Sequence, residues 1–268
     1  MCKTRSRNIK YITGIAMYQI NIKVNEERAF WIYALNKLIV HRVKTVGGIT
    51  AIAEMDGQVN LALACEMSRR ELLDETVSDG IVELIETIGK MCYIDGKLAH
   101  LKINKSTYRL LLHTLVAFDR ECERQLLWNI VGVSPSVSLD GIYDFRIAEL
   151  KSRWDEICSL ITGNASFLYD EMTLNELLRF LVSAINPKIM KLELTRNGDE
   201  FLLTGTHNNS EFKLSTTGGE NLMLYLIDLA PIELEICGEL FDNKLYCRLV
   251  EVFDAKVKGE SKNSVTSR

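Results

Sequence analysis

The chain has 268 residues, of which 47% are hydrophobic, 25% charged and 8% aromatic; this composition excludes an intrinsically disordered chain, a collagen-like fibre and a disulfide miniprotein. Its 32 basic and 36 acidic residues give a net charge of -4, so no global positive field draws it onto nucleic acid or anionic lipid. The length suits one large domain or two of ordinary size.

Residues 1–16 carry Lys3, Arg5, Arg7 and Lys10 ahead of a short apolar run, but no small-residue cleavage site follows, so the segment fails as a signal peptide. The first strand pattern begins at Met17, which makes a mis-called start upstream of it the simpler account. Removing those four cations leaves 28 basic against 36 acidic residues, a charge of -8. Residues 18–24 alternate, with Ile20, Ile22 and Val24 on one face, and predict a half-buried strand. Residues 25–43 predict an amphipathic helix carrying Phe30, Tyr33, Leu35 and Leu38. Asp56-Gly57 then lies between two alternating runs and predicts a two-residue hairpin turn that sets Ile52 opposite Leu61 and Thr50 opposite Leu63. Ser68 opens a long helical pattern with Glu71 in capping-box position and Leu72, Leu73, Val77, Ile81, Leu84, Ile85 and Ile88 at helical spacing. Gly80 is its weak point. A second long helix, 104–130, places Tyr108, Leu111, Leu115, Phe118, Cys122, Leu126 and Ile130 on one stripe, and the two are expected to pack together.

Residues 133–138 contain Pro135 and three serines, the best boundary between an N-terminal half, 17–134, and a C-terminal half, 135–257. After Asp140-Gly141 comes a helix turning Ile147, Leu150, Trp154, Ile157 and Ile161 inward. The last hundred residues hold a weak duplication: an apolar helix, a proline and an alternating strand occur twice, with Pro187 and Pro231 separated by 44 positions. Helices stop before proline, and the strands alternate as Met190, Leu192, Leu194 and as Ile232, Leu234, Ile236. Asn197-Gly198 predicts another hairpin, pairing Leu194 with Phe201 and Leu192 with Leu203. The fold class is α+β: an N-terminal strand and hairpin with long paired helices, then a mostly antiparallel sheet with helices on one face. The polar residues 258–268 are expected to be disordered.

The seven cysteines are odd in number and form no CxxC pair, which reads as free thiols in a reducing cytoplasm. No run approaches the roughly 18 apolar residues of a membrane helix, so no transmembrane segment is expected, while peripheral membrane association stays open. Phosphate-loop, dinucleotide, zinc-protease and nucleophile-elbow motifs are missing, and His41, His100, His113 and His207 lack metal-ligand spacing; no cofactor, metal or catalytic residue is assigned. Residues 216–221 read as a strand-to-helix turn in preference to an anion site, since Glu220 would repel an anion. Glu233 and Glu235 share a strand face, an arrangement that an acid-base pair and an ordinary solvated face have in common. Arg146, Lys151 and Arg153 alternate with Glu149, Asp155 and Glu156, and Glu149 with Arg153 forms a favourable pair one helical turn apart, so nucleic acid is not an expected partner. Asp140, Gly141, Asp144, Phe145 and Arg146 stand apart: a turn signal is followed by a carboxylate that can cap a helix and an arginine that can fork onto a carboxylate or phosphate. The segment reads as a latch joining the two halves, with a binding patch as the alternative.

Gly141, Phe145 and Arg146 match a DGF-x-x-FRL stretch before a long helix, Leu229-Ala230-Pro231 matches an LAP that follows an apolar helix, and Phe253, Asp254 and Val257 match a closing F-[GD]-x-x-V. With these motifs and the paired long helices, most of the chain resembles the YtxC-like sporulation proteins of endospore-forming bacteria. It departs from them at Ile142, where Phe is usual, and at Ile147, where Leu is usual. The resemblance implies a role in sporulation and carries no reaction, cofactor or catalytic residue; an unidentified protein partner in the sporulating cell is expected. The expected function is a cytoplasmic, non-enzymatic interaction protein with an exposed apolar or charged patch near Arg146 or along the long helices. The alternative is an enzyme or small-ligand binder whose pocket is assembled from distant residues.

Overall fold

The computed structural model describes residues 16–207, 210–238 and 242–257; residues 1–15 of the segment read as a mis-called start and the polar segment 258–268 lie outside them. In chain order the elements are β1 (Met17–Asn25), α1 (Ala29–Thr45), β2 (Ile49–Met55), β3 (Gln58–Glu66), α2 (Arg70–Leu84), α3 (Lys90–Leu98), α4 (Lys105–Ala117), α5 (Arg120–Ile130), β4 (Ser136–Ser138) and α6 (Leu139–Gly141). There follow α7 (Ala148–Gly163), α8 (Glu171–Ser183), β5 (Lys191–Asn197), β6 (Glu200–His207), β7 (Ser210–Thr217), α9 (Gly219–Leu229), β8 (Glu233–Cys237), α10 (Asn243–Phe253) and β9 (Lys256–Val257). The architecture is α+β, with two mixed sheets, and the chain forms two compact units. The first comprises the described residues up to Ile85 together with Leu127–Ile147, the second Glu86–Leu126 together with the residues from Ala148 onward. The boundary expected at Pro135 therefore falls inside the first unit, where Pro135 O accepts from Asn21 N at 2.9 Å and leads into β4.

In the first unit the sheet runs β2-β3-β1-β4, with β1 antiparallel to β3 and parallel to β4. The alternation of β1 buries Tyr18, Ile20, Ile22 and Val24, and β3 buries Val59, Leu61, Leu63 and Cys65. Trp31, Ile32, Leu35, Ile39 and Val43 of α1 are buried as well. The hairpin has the expected register, Ile52 opposite Leu61 and Thr50 opposite Leu63; Asp56 and Gly57 both take positive φ, 52° and 72°, as the mirror-image turn preferred by hairpins requires. Gly80 gains a reason in the packing. A Cβ there would lie 2.2 Å from the Ile39 side chain, so the helix gives up propensity to let α1 and α2 approach closely. The expected capping box is not formed: Ser68 lies in a 3₁₀ turn, and α2 starts without a side-chain cap.

The second unit carries the sheet β7-β6-β5-β8-β9. Its β5-β6 and β6-β7 pairs are antiparallel and its β5-β8 and β8-β9 pairs parallel, so the sheet is mixed where a mostly antiparallel one was expected. The duplicated strands are direct neighbours, with Leu192 beside Leu234 and Leu194 beside Ile236. At the second hairpin Leu194 faces Leu203 and Arg196 faces Phe201, two residues from the expected register, because Gly198-Asp199 form the turn with Gly198 at φ 63°. A shift of two conserves the face of every side chain, so Leu192, Leu194, Phe201 and Leu203 remain buried. The long helix expected over 104–130 is broken: α4 ends at Ala117, Asp119 takes φ 56°, and α5 begins at Arg120. Among the described residues no helix is long and apolar enough to cross a membrane.

Candidate functional site

All five residues singled out in the sequence lie in the first unit. Asp140 and Gly141 form the single helical turn α6, with Gly141 at ordinary helical φ and its N–H donating to Ser138 Oγ at 3.1 Å; the turn expected at Asp140-Gly141 is thus a capped helix start. A π-turn, Ile142–Arg146, follows directly. It buries Ile142 and Tyr143 and leaves Asp144, Phe145 and Arg146 exposed.

The arginine that forks onto these carboxylates is Arg28, more than a hundred positions upstream, and the expected role of Arg146 passes to it. The 3₁₀ turn Glu26–Arg28 places its guanidinium so that Nη1 donates to Asp140 Oδ1 at 2.8 Å and to Asp144 Oδ2 at 2.8 Å, while Nη2 donates to Asp144 Oδ1 at 3.0 Å. Asn25 N donates to Asp140 Oδ2 at 2.7 Å, so both oxygens of each carboxylate are engaged. The guanidinium also lies over Tyr143 at 5.2 Å and Trp31 at 5.7 Å, two rings that meet edge to face at 4.7 Å. The hydrogen bond to Asp144, outweighing partial burial, raises the Arg28 pKa above its ordinary value. Charge-assisted bidentate bonding and cation–π stacking together make a geometrically specific clamp. Arg146 makes no ion pair among the described residues, and the Phe145 ring is 81% exposed. Sequence reasoning found the carboxylates and missed Arg28, whose neighbours Glu26 and Glu27 give it the look of a solvated helix start.

The second unit contains a different charged assembly, which the sequence did not signal. Lys90, at the start of α3, is fully buried; its ammonium contacts Glu123 Oε1 at 2.8 Å and Oε2 at 2.9 Å and donates to Phe118 O at 2.7 Å. Trp154 Nε1 donates to Glu123 Oε1 at 2.8 Å. Burial pulls the Lys90 pKa below its usual value against the pull of Glu123, and it pushes Glu123 up against Lys90 and Trp154. Every Lys90 proton has an acceptor, so the pair is structural. One turn away, on the π-turn Ile85–Gly89, Glu86 is also fully buried. Arg120 donates to its Oε1 through Nε at 3.0 Å and Nη2 at 2.9 Å, and Arg124 through Nη1 at 2.6 Å. Above it opens a cleft of about 430 Å³ lined by Glu86, the α4–α5 corner and the C-terminal ends of α8 and α9.

The remaining candidates resolve into local structure. His113 is half-buried and bonded to Asp228 at 3.0 Å. Glu220 pairs with Arg109 at 2.9 Å, and Gly218 at φ 78° makes the bend into α9. Glu235 pairs with Lys191 at 2.9 Å and Glu233 is exposed. Arg153 meets Glu149 at 3.1 Å, one turn apart on α7. Among the described residues no cluster of three or more His, Cys, Asp or Glu could hold a metal ion, and Cys65, Cys122, Cys158 and Cys247 are free thiols. No protein-family model, no curated protein and no solved structure matches the chain.

Proposed function

We propose that the chain is a non-enzymatic interaction protein of the sporulating bacterial cell, acting in the cytoplasm and docking a protein partner through Phe145 and Arg146. The observation that carries this reading is an exposed aromatic ring on a backbone that the Arg28 clamp holds at two points: Asp140 before the π-turn and Asp144 within it. Fixing such a ring in advance removes much of the ordering cost of binding, and an aromatic beside an arginine is the composition of interface hot spots. The likeness to the YtxC-like proteins supplies the sporulation context, and the alternating charges of α7 favour a protein over nucleic acid as partner.

The test is affinity capture with crosslinking from sporulating cells, comparing wild type with Phe145→Ala and Arg146→Ala. Both side chains are exposed, so both variants should melt within about 0.5 kcal/mol of wild type. One enriched protein, lost from both variants, is the expected result. A partner retained by both variants, or no partner in any sample, rejects the reading.

A further inference from the structure

Glu86 has one carboxylate oxygen without a donor. Its Oε1 is shared by Arg120 and Arg124, while its Oε2 is buried with no hydrogen-bond partner among the described residues. Buried polar atoms are nearly always satisfied, and an orphan at the floor of a cleft points to a missing donor. The walls give an independent indication of what that donor carries. Ala117 ends α4, Ala184 and Ile185 follow α8, and Ile227 and Asp228 lie in the last turn of α9, so three helices bring their C-terminal ends to one space. Each such end has partial negative charge, and none of the three helices has a basic residue in its last turn, although at α4 the Lys90 ammonium already meets the capping carbonyl of Phe118. Asp119, Glu121 and Asp228 add carboxylates to the lining.

We propose that this cleft binds a small primary ammonium compound, whose N–H groups supply the donor that Glu86 Oε2 lacks and whose charge meets the helix C-termini and rim carboxylates. The volume of about 430 Å³ lies within the range of small-molecule sites, about 300–1,000 Å³. Arg120, Arg124 and Lys188 share the lining and offset the carboxylates. Selection therefore rests on the donated hydrogen bond more than on bulk charge. The partly exposed side chains of Arg120 and Arg124 lie over Glu86 and engage its Oε1 alone.

The experiment is calorimetric titration of the full chain with putrescine and with its bis-trimethylammonium analogue, which keeps both charges and the four-carbon spacer but has no N–H, at matched ionic strength. Saturable single-site binding of putrescine is expected, with the analogue weaker by about tenfold or more, the worth of a charge-assisted hydrogen bond. Glu86→Gln should weaken putrescine binding by a similar factor. Because that variant can fail to fold under two arginines, Asp228→Asn at the half-exposed rim is the second probe; it should lose about two- to fivefold with unchanged melting. Absence of saturable putrescine binding to folded wild type, equal binding of the two cations, or wild-type affinity in folded variants overturns the proposal.

Discussion

The Arg28 clamp of the first unit and the Lys90–Glu123 pair of the second each hold a cation against carboxylate, and the two differ in their access to water. Arg28 in the first unit keeps about a third of its side chain exposed, at 32%, whereas Lys90 in the second is at 0% and Glu123 at 2%. Arginine suits the first setting because its planar fork meets two carboxylates and stacks on rings; lysine suits the second because three acceptors use all three of its protons. The exposed clamp fixes geometry at small net energy, while the buried pair gains little over an apolar substitute and becomes expensive once one member is removed.

The largest effect therefore belongs to the second unit. Lys90→Met alone leaves Glu123 buried without its counter-charge and should cost about 3–5 kcal/mol in urea or thermal unfolding. Adding Glu123→Leu should restore part of that loss, since volume-matched apolar replacement of a buried pair is often neutral but here leaves Trp154 Nε1 without its acceptor. A single variant as stable as wild type would erase the contrast. Arg28→Ala comes next, at about 2 kcal/mol from the clamp, the ring stacking and the partly buried Asp140 left without its counter-charge. This loss should shrink in 1 M salt, where screening acts within about 3 Å, while the Lys90→Met loss should not; equal salt dependence would contradict the difference in burial. The smallest effect is at the surface of the second unit, where the Lys97 ammonium, at 2.7 Å, and the Tyr93 hydroxyl hold the Asp155 pKa below its ordinary value. A depressed carboxylate binds fewer protons folded than unfolded, so its contribution is present above the ordinary value of about 3.9 and is lost as pH falls through the folded value. Asp155→Asn should flatten the acid limb of a stability–pH curve; an unchanged limb would remove this pair from the account.

What was legible in the sequence was local. The Asp56-Gly57 register and the faces of β1 follow from side-chain period and from residues tolerant of positive φ. The duplication was legible too, and it became two neighbouring parallel strands. The break at Asp119 was hidden, because an aspartate in left-handed geometry leaves the apolar stripe of α4 and α5 intact on paper. Gly80 read as a weakness because the Ile39 that needs its space lies 41 positions away. The candidate site was half legible for the same reason. Asp140 and Asp144 carry a local signal, but Arg28 is separated from them by 112 and 116 positions, and nothing in a one-dimensional pattern ties it to them. Buried charges such as Glu86 and Lys90 sit on helices whose sequence looks amphipathic, so only the packed structure distinguishes them from solvated ones.

The parallel pairing of β4 with β1 also fixes an order of events during synthesis. On the edge of β1 away from β3, Asn21, Ile22 and Lys23 pair with Ser136, Val137 and Ser138, and the Arg28 clamp waits for Asp140 and Asp144. At the ordinary elongation rate of about 5–20 residues per second, β1 spends several seconds outside the ribosome with one edge open, while the helices α3 and α4 are still being made. The hairpin of β2 and β3 is available within that interval, and the fourth strand is not. The nascent first unit therefore lacks the fourth strand of its sheet throughout that interval.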